Sequence, residues 1–401
     1  MASIRIPRLL SILVWSILPC ALAAAGGDTA RCEGPAAAAE RLVWFGTYTG
    51  GKSASEGIYV SRFDTATGGL STPVLAVRTK NPSFLALHPA LPVLYAVSEV
   101  ADADGRPGGG IAAFAIDPST GMLTLKNSQS SGGAGPCHVA VDRDGKVVLA
   151  ANYGGGSVVC LGLDATGSLA AAVAGTPGGF IQHEGKSVNP KRQEKPHAHS
   201  IHPTPDGRFA IACDLGIDKV LVHALDTARA TLAPHTAAST AAGAGPRHFA
   251  LHPQGRFGYS VNELDLTVTA FALDAQAGTL TPFQSLSTLP ADVTDRTGMS
   301  TAEIVSHPSG KFLYASNRGH HSIAMYAIDQ ADGRLTFLGV EPTRGRTPRN
   351  FVLDPEGRFL LAGGQDSNTV TVFTIDQTTG RLAFTDRSVD VPAPVCIRFS
   401  R

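Results

Sequence analysis

A phrase that recurs six times constrains the fold of this chain of 401 residues more than any other sequence feature. Each copy has an apolar segment, a turn of the His-Pro-x-Gly-Arg type, a second apolar segment with a polar corner, and a third segment that ends in Asp before x-x-Gly-x-Leu. Copies spaced by 46 to 60 residues match one four-stranded β-propeller blade. The copies start at Pro82, Pro136, Pro196, Pro246, Thr301 and Pro348.

A seventh copy is divided between the two ends of the repeat region. Its first strand is predicted at Pro394, and its second and third strands at residues 42–48 and 58–64. Pairing of these segments would close a ring and leave no open sheet edge. We therefore predict an all-β seven-bladed β-propeller over residues 41–401, with the first blade closed by the C-terminal strand. The divided copy disfavours a solenoid, and the continuous spacing disfavours two separate β domains.

The N-terminal segment has the pattern of an export signal. Arg5 and Arg8 precede an apolar stretch over residues 9–22, and Ala21-Leu22-Ala23 has the small-x-small pattern of a cleavage site. The stretch is shorter than the roughly 20 apolar residues of a membrane-spanning helix. We predict a signal peptide over residues 1–23, a linker over residues 24–40, and a periplasmic or secreted protein that is not held by a membrane after cleavage.

Charge and motif content exclude several classes of function. Lys plus Arg and Asp plus Glu both total 33, so the formal net charge of zero disfavours a nucleic-acid partner. No P-loop, G-x-G-x-x-G or dense metal-ligand spacing is present, so we expect no cofactor and no metal. We expect a monomer that binds a small molecule. The six cysteines have no disulfide-framework or zinc spacing, and most are predicted to be buried strand residues: Cys20, Cys32, Cys137, Cys160, Cys213 and Cys396.

Two columns of the repeat depart from the shared pattern, and such departures are where function is expected. One column opens the first strand, the other is the corner after the second strand, and a propeller places both around the mouth of its channel. We expect these polar groups to converge there, the alternative being that they are solvated turn residues. The first column holds Cys137-His138, His197-Ala198-His199, Arg247-His248, Ala302-Glu303 and Arg349-Asn350; the second holds Tyr48, Glu99, Asn152-Tyr153, Asp214, Asn262-Glu263, Asn317-Arg318 and Gln365.

Repeated histidines and one insertion are interpreted differently. His88, His202, His252 and His307 occupy one slot in several copies, which predicts a turn-capping role outside the functional site. The insertion over residues 176–195 is expected to cover the channel mouth. It contains His183-Glu184 without a second His four residues on, so it is not a metalloprotease motif.

Covalent serine catalysis has no support, because the chain contains no G-x-S-x-G nucleophile elbow. The polar columns fit general acid–base attack on an activated ester, with guanidiniums that stabilise negative charge. A lactone is such an ester, and water with one base suffices to open it.

Several motifs together resemble those of the seven-bladed lactonase family, whose members include bacterial 6-phosphogluconolactonases and fungal carboxymuconate lactonising enzymes. The resemblance covers about residues 42–401. The motifs that carry it are Asn189-Pro190-Lys191-Arg192-Gln193, Pro196-His197-Ala198-His199, Gly245-Pro246-Arg247-His248, Asn262-Glu263, Ala302-Glu303, Asn317-Arg318-Gly319 and Pro348-Arg349-Asn350.

The resemblance implies a catalytic set of His197 or His199, Arg247, Glu263 and Arg318. We expect Glu263 or one of the histidines to activate water, and Arg247 and Arg318 to bind the substrate anion and stabilise the oxyanion. Glu303 would orient an Arg or His, or act as the alternative base. The expected substrate-binding residues are Glu303, His248, Asn152, Arg349, Asn350, His138 and Arg192.

The predicted reaction is the hydrolytic opening of a sugar lactone. Two alternatives remain open: a non-catalytic exported propeller that binds a carbohydrate or a protein, and a muconate-type lactonising isomerase.

Overall fold

Short apolar segments separated by glycine-containing turns form seven sheets of four antiparallel strands each. The computed structural model describes residues 40–103, 106–170 and 179–400. The predicted signal peptide, all but the last residue of the predicted linker, and Cys20 and Cys32 lie outside the described residues. We number the blades 1 to 7 along the repeat, beginning with the blade that contains Glu40–Thr47.

Each blade has an inner strand, two middle strands and an outer strand. The inner strands of blades 1 to 7 are Pro394–Phe399, Leu85–Leu87, Pro136–Val141, Ala198–Pro203, Pro246–Leu251, Ser300–Ser306 and Pro348–Leu353. The second strands are Glu40–Thr47, Val93–Ser98, Val147–Asn152, Phe209–Asp214, Phe257–Asn262, Phe312–Arg318 and Phe359–Gly364. The third strands are Gly57–Asp64, Gly110–Ile116, Ser157–Gly162, Lys219–Asp226, Thr267–Asp274, Ser322–Ile328 and Thr369–Ile375. The outer strands are Val74–Arg78, Leu123–Ser130, Phe180–Gln182, Thr231–Ser239, Thr279–Ser287, Leu335–Pro342 and Leu382–Asp390.

Two smaller elements complete the description. Asp102–Ala103 pairs with Arg106–Pro107 in a two-stranded sheet, and Leu215–Ile217 forms a 3₁₀ turn. No helix of the described residues is long and apolar enough to span a membrane.

The inner strands form a closed ring, since each contacts the inner strands of both neighbouring blades. Blade 1 is closed by the C-terminal strand, which pairs antiparallel with Glu40–Thr47 and sets Val43 opposite Phe399. Both features confirm the predicted seven-bladed ring. The closure pairs the edge of Glu40–Thr47 that would otherwise be open, and so removes the open end of a linear array.

Apolar clusters fill the interfaces between blades, and a repeated hydrogen bond fixes their spacing. In four blades an aromatic side chain of the second strand donates to a glycine carbonyl in the outer hairpin of the next blade: Trp44 to Gly121, Tyr95 to Gly167, Tyr259 to Gly333 and Tyr314 to Gly380. A buried phenol or indole needs such a partner. Gly380 has a φ of 71°, and a Cβ there would lie 2.3 Å from the Phe312 ring, so glycine is required.

Three of the four repeated histidines cap turns as predicted. His307 accepts from Ser309 N at Nδ1 and therefore donates from Nε2 to Gly357 O at 2.8 Å in the next blade. His88 and His252 have the same two contacts. The prediction is wrong for His202, because Thr204 occupies the slot: Thr204 N donates to Phe209 O, as His252 N does to Phe257 O.

The cysteines of the described residues fit the prediction made for them. Cys137, Cys160, Cys213 and Cys396 lie in strands, are buried, and form no disulfide.

Candidate functional site

A β-bulge at the start of the inner strands builds the channel mouth. In blade 5, Pro246 pairs with Asn262 and His248 with Val261, so Arg247 is the extra residue. The same interruption occurs in blades 1, 3, 4, 6 and 7. A bulge re-aims a side chain, and the bulge residues Cys137, Arg247, Arg349 and Val395 line one cavity together with Ser83 of blade 2.

Blade 4 is offset from the predicted alignment by two residues. Ala198, rather than Pro196, is the residue equivalent to Pro246, because Ala198 pairs with Asp214 and Ser200 with Cys213. The bulge residue of this blade is therefore His199. His197 precedes the strand and stacks on Tyr153 at 4.6 Å between ring centroids.

A carboxylate held by three guanidiniums lies on one side of the mouth. Glu263 Oε2 is 3.0 Å from Arg247 Nε and 3.0 Å from Arg318 Nη2, and Oε1 is 2.6 Å from Arg192 Nη2. Burial alone would raise the pKa of Glu263, but the guanidiniums outweigh burial and hold that pKa at about 2. Glu263 is therefore an ionised anchor for the arginines and a weak base at neutral pH.

Arg247 is held in one orientation from several sides. Besides Glu263, it donates from Nη1 to Ala302 O at 2.6 Å and to His248 Nε2 at 3.1 Å. A guanidinium only donates, so His248 accepts at Nε2 and donates from Nδ1 to Glu303 Oε1 at 2.7 Å. Asn350 Nδ2 donates to the other oxygen of Glu303.

The electrostatics of this network agree with its geometry. Burial, together with the neighbouring Arg349 and Arg318, lowers the pKa of Arg247 to about 10, so the group stays charged at neutral pH. Burial lowers the pKa of His248 well below its usual value and raises that of Glu303. A neutral imidazole thus connects Glu303 to a fixed cation.

The two histidines of the Pro-His-Ala-His motif differ in what their nitrogens contact. His197 donates from Nδ1 to Tyr153 O at 3.0 Å, and its Nε2 lies 3.2 Å from Glu194 Oε1, so both nitrogens face acceptors. His199 Nδ1 lies 3.6 Å from Cys137 Sγ. His199 is buried, and among the described residues its Nε2 has no hydrogen-bond partner. Burial and the nearby Arg247 lower the pKa of His199 well below its usual value, which leaves a neutral imidazole.

The opposite side of the mouth carries a second carboxylate and a fourth arginine. Tyr48 Oη is 3.0 Å and 2.9 Å from the two oxygens of Glu99, and Ser83 Oγ donates to the same carboxylate. The Arg349 guanidinium lies over the Tyr48 ring, 5.2 Å from its centroid. Of these residues only Arg349 was among the predicted site residues, although Tyr48 and Glu99 stand in the corner column.

Two further predicted residues, Arg192 and His138, lie at or near the mouth. Arg192, from the insertion, reaches the mouth: it contacts Glu263 and donates to Tyr153 Oη at 3.1 Å. His138 lies among Phe84, His202 and His248, with ring centroids 4.3, 4.6 and 5.4 Å away.

Asn152 is not part of this cluster. It is fully buried, and its amide donates to Ser131 O and Ser157 Oγ within the loops and strands of blades 2 and 3. Within the part of the chain that the structure describes, no group of three or more His, Cys, Asp or Glu side chains is arranged to hold a metal ion.

A propeller whose channel mouth joins fixed guanidiniums, a buried carboxylate and a neutral imidazole has the groups of a hydrolytic enzyme site. A family model described as "Lactonase, 7-bladed beta-propeller" matches residues 42–399. The chain is 39% identical over 356 residues to the 6-phosphogluconolactonase of Bacillus subtilis (strain 168). The matched region covers 89% of this chain and 97% of that protein. The chain belongs to the seven-bladed β-propeller lactonase family and is a lactonase.

Two other relatives extend the comparison. The 6-phosphogluconolactonase of Formosa agariphila is 35% identical over 314 residues, with 77% of this chain and 85% of that protein covered. The solved structure of the periplasmic gluconolactonase of Pseudomonas aeruginosa is 32% identical, with a TM-score of 0.82 and coverage of 90% of this chain and 99% of that chain.

Proposed function

We propose that this protein is an exported lactonase that hydrolyses a sugar lactone, and that the channel mouth is its active site. The observation that carries the proposal is the juxtaposition of a fixed, buried Arg247 with the unpaired Nε2 of a neutral His199 at adjacent bulge positions. The names of the relatives support the substrate class, since they include 6-phosphogluconolactonases and a gluconolactonase.

His199 is the base that the geometry favours. A general base needs a lone pair that reaches the reacting proton and a protonation state that accepts it. His199 is neutral and its Nε2 has no partner among the described residues, whereas His197 has both nitrogens directed at acceptors and both oxygens of Glu263 already contact guanidiniums. Glu263 and Glu303 then act as positioning residues for the arginines and for His248.

The reaction follows from these assignments. His199 takes a proton from water as the hydroxide oxygen bonds to the lactone carbonyl carbon, and the carbonyl electron pair moves onto its oxygen. Arg247, already oriented by Glu263 and Ala302 O, stabilises that oxyanion. On collapse, the bond from the carbonyl carbon to the ring oxygen breaks, and the imidazolium returns its proton to that oxygen. The product is an open-chain hydroxy acid.

Export is supported by the sequence of residues 1–23 and by the periplasmic relative. A sugar lactone outside the cytoplasm need not carry a phosphate group, and the periplasmic relative is named a gluconolactonase. We therefore expect an unphosphorylated aldonolactone to be the better substrate.

The test is acid release from glucono-δ-lactone and 6-phosphogluconolactone, measured with a pH indicator and corrected for spontaneous hydrolysis. We expect His199→Ala to lower kcat by about 10²- to 10⁴-fold, the usual contribution of a general base. The matched control is His235→Ala, an exposed histidine of the outer strand of blade 4. Measurable binding without turnover in the wild type would favour the carbohydrate-binding module instead.

A further inference from the structure

On the side of the mouth opposite Glu263, Glu99 and Arg349 line one cavity and form a second half of the site. Arg349 makes no hydrogen bond or ion pair with the described residues, in contrast to Arg192, Arg247 and Arg318. Its charge is held in place by the Tyr48 ring, 5.2 Å from the guanidinium. Its donors are therefore available to a ligand.

Glu99 keeps acceptor capacity as well. Tyr48 and Ser83 each supply one hydroxyl hydrogen to this carboxylate, whereas an ionised carboxylate has about four lone-pair sites. Burial raises the pKa of Tyr48, so its hydroxyl stays a donor. These two donors orient Glu99 and leave at least two acceptor positions for hydrogens that a ligand brings.

The cavity between these groups is small. Glu99, Arg349, Ser83, Arg247 and His248 all line it, and its volume is about 10 Å³. That is room for about one water molecule. Only one edge of a ligand can enter, and that edge must offer a hydroxyl donor to Glu99 beside an acceptor for Arg349.

We propose that Glu99 and Arg349 recognise the α-hydroxy-carbonyl edge of the substrate, so that the enzyme selects lactones with a free hydroxyl on the carbon next to the carbonyl. Glu99 accepts from that hydroxyl, and Arg349 donates to the carbonyl oxygen, which becomes the product carboxylate. An aldonolactone carries this edge, whereas a 2-deoxy lactone and δ-valerolactone lack the hydroxyl. This inference rests on the proposed lactonase function and assigns the specificity of that same site.

The test compares kcat/KM for glucono-δ-lactone and for its 2-deoxy analogue in the wild type and in Glu99→Gln. A hydrogen bond to a charged group contributes enough to change kcat/KM by roughly 10- to 100-fold. We expect the wild type to prefer the 2-hydroxy lactone by that factor. In Glu99→Gln, kcat/KM for the 2-hydroxy lactone falls by the same roughly 10- to 100-fold. kcat/KM for the 2-deoxy lactone changes less than about threefold, so the variant no longer prefers the 2-hydroxy lactone.

Two further variants separate recognition from folding. Glu56→Gln removes an exposed carboxylate of blade 1 that pairs with Arg78, and it leaves the preference intact. Ser83→Ala keeps Glu99 but removes one of its orienting donors, so it weakens the preference partly, whatever happens to Glu99→Gln on folding.

The outcomes are distinct. If the wild type hydrolyses both lactones with equal kcat/KM, or if Glu99→Gln lowers both values equally, recognition of the α-hydroxyl is wrong while the lactonase proposal stands. If the wild type hydrolyses no lactone, both proposals fall.

Discussion

Replacement of Glu263 by Gln tests whether the carboxylate holds the arginines of the mouth together. The variant keeps the size of the side chain but removes the charge that Arg247, Arg318 and Arg192 share. The side chain of Arg247 is only 2% exposed, so water cannot solvate its charge in place of Glu263. The side chain of Arg192 is 40% exposed, so its ion pair with Glu263 contributes little to the free energy of unfolding. Removing one partner of a buried ion pair costs about 3–5 kcal/mol.

The pKa of Glu263 gives a similar magnitude. Its fall from 4.5 to about 2 corresponds to about 3 kcal/mol in favour of the ionised folded state. Because the folded pKa lies below the unfolded value, this stability is present above pH 4.5 and is lost as the pH falls through 2. Glu263→Gln should therefore be less stable than the wild type at pH 7 and more similar to it near pH 2.

Thermal unfolding measures the effect. An unfolding entropy of about 2.1 cal/mol/K per residue over roughly 360 folded residues converts this free energy into a Tm decrease of about 4–7 °C at pH 7. The double variant Arg247→Met, Glu263→Gln removes the stranded charge as well and should recover part of that loss, while both variants stay inactive. A Tm within 1 °C of the wild type for Glu263→Gln, or a double variant less stable than the single one, would refute this reasoning.

Three other predictions use different parts of the structure. The fall of kcat/KM on the acid side should occur below pH 6.5, because burial keeps His199 neutral there. A fall that begins above pH 7 would contradict the role of His199 as base. If His197→Ala lowered kcat more than His199→Ala does, the roles assigned to the two histidines would be reversed. Burial lowers the pKa of His223 to about 3, and neither of its ring nitrogens has a partner within the described chain. Below pH 6.5 the unfolded wild-type chain binds a proton on His223 that the folded chain does not bind. Between pH 7 and pH 5 the wild type should therefore lose about 2 kcal/mol of unfolding free energy that His223→Leu keeps. Urea titrations at both pH values measure this, and an equal change in the two proteins would contradict the prediction. Truncation after Ala393 removes Pro394–Phe399 and exposes the edge of the ring, so circular dichroism and sedimentation should show an unfolded or aggregated chain; a soluble, native-like product would disprove the closing role of that strand.

The fold could be predicted from sequence because its determinants are local. Turn residues recur at similar offsets in most copies, and the apolar segments between them have the length of strands. The C-terminal segment at Pro394 matches the start of a copy, so ring closure followed without any knowledge of long-range contacts. The register confirms that reasoning, with Val43 opposite Phe399.

The roles of the individual site residues could not be predicted in this way. Motifs place Glu263, His197 and His199 at the mouth, but their roles depend on which atoms face which partners. Three arginines from different parts of the chain set the pKa of Glu263, and only one of the two histidines has a nitrogen without an acceptor beside it. Glu99 stands in the corner column, but none of the motifs that carry the family resemblance includes it.

The two-residue offset in blade 4 shows how a local change in the repeat supplies polar groups to a channel. Because Ala198 takes the place that Pro246 holds in blade 5, His199 becomes the bulge residue and His202 takes the position of Ala250. Thr204 then caps the turn by accepting from Phe209 N, but it makes no hydrogen bond to the next blade like that of His252 to Gly310 O. The imidazole of His202, freed from capping, packs against His138 in the channel, with its Nε2 buried and unpartnered among the described residues. The turn therefore tolerates a different residue, and the histidine two positions earlier packs against His138 instead.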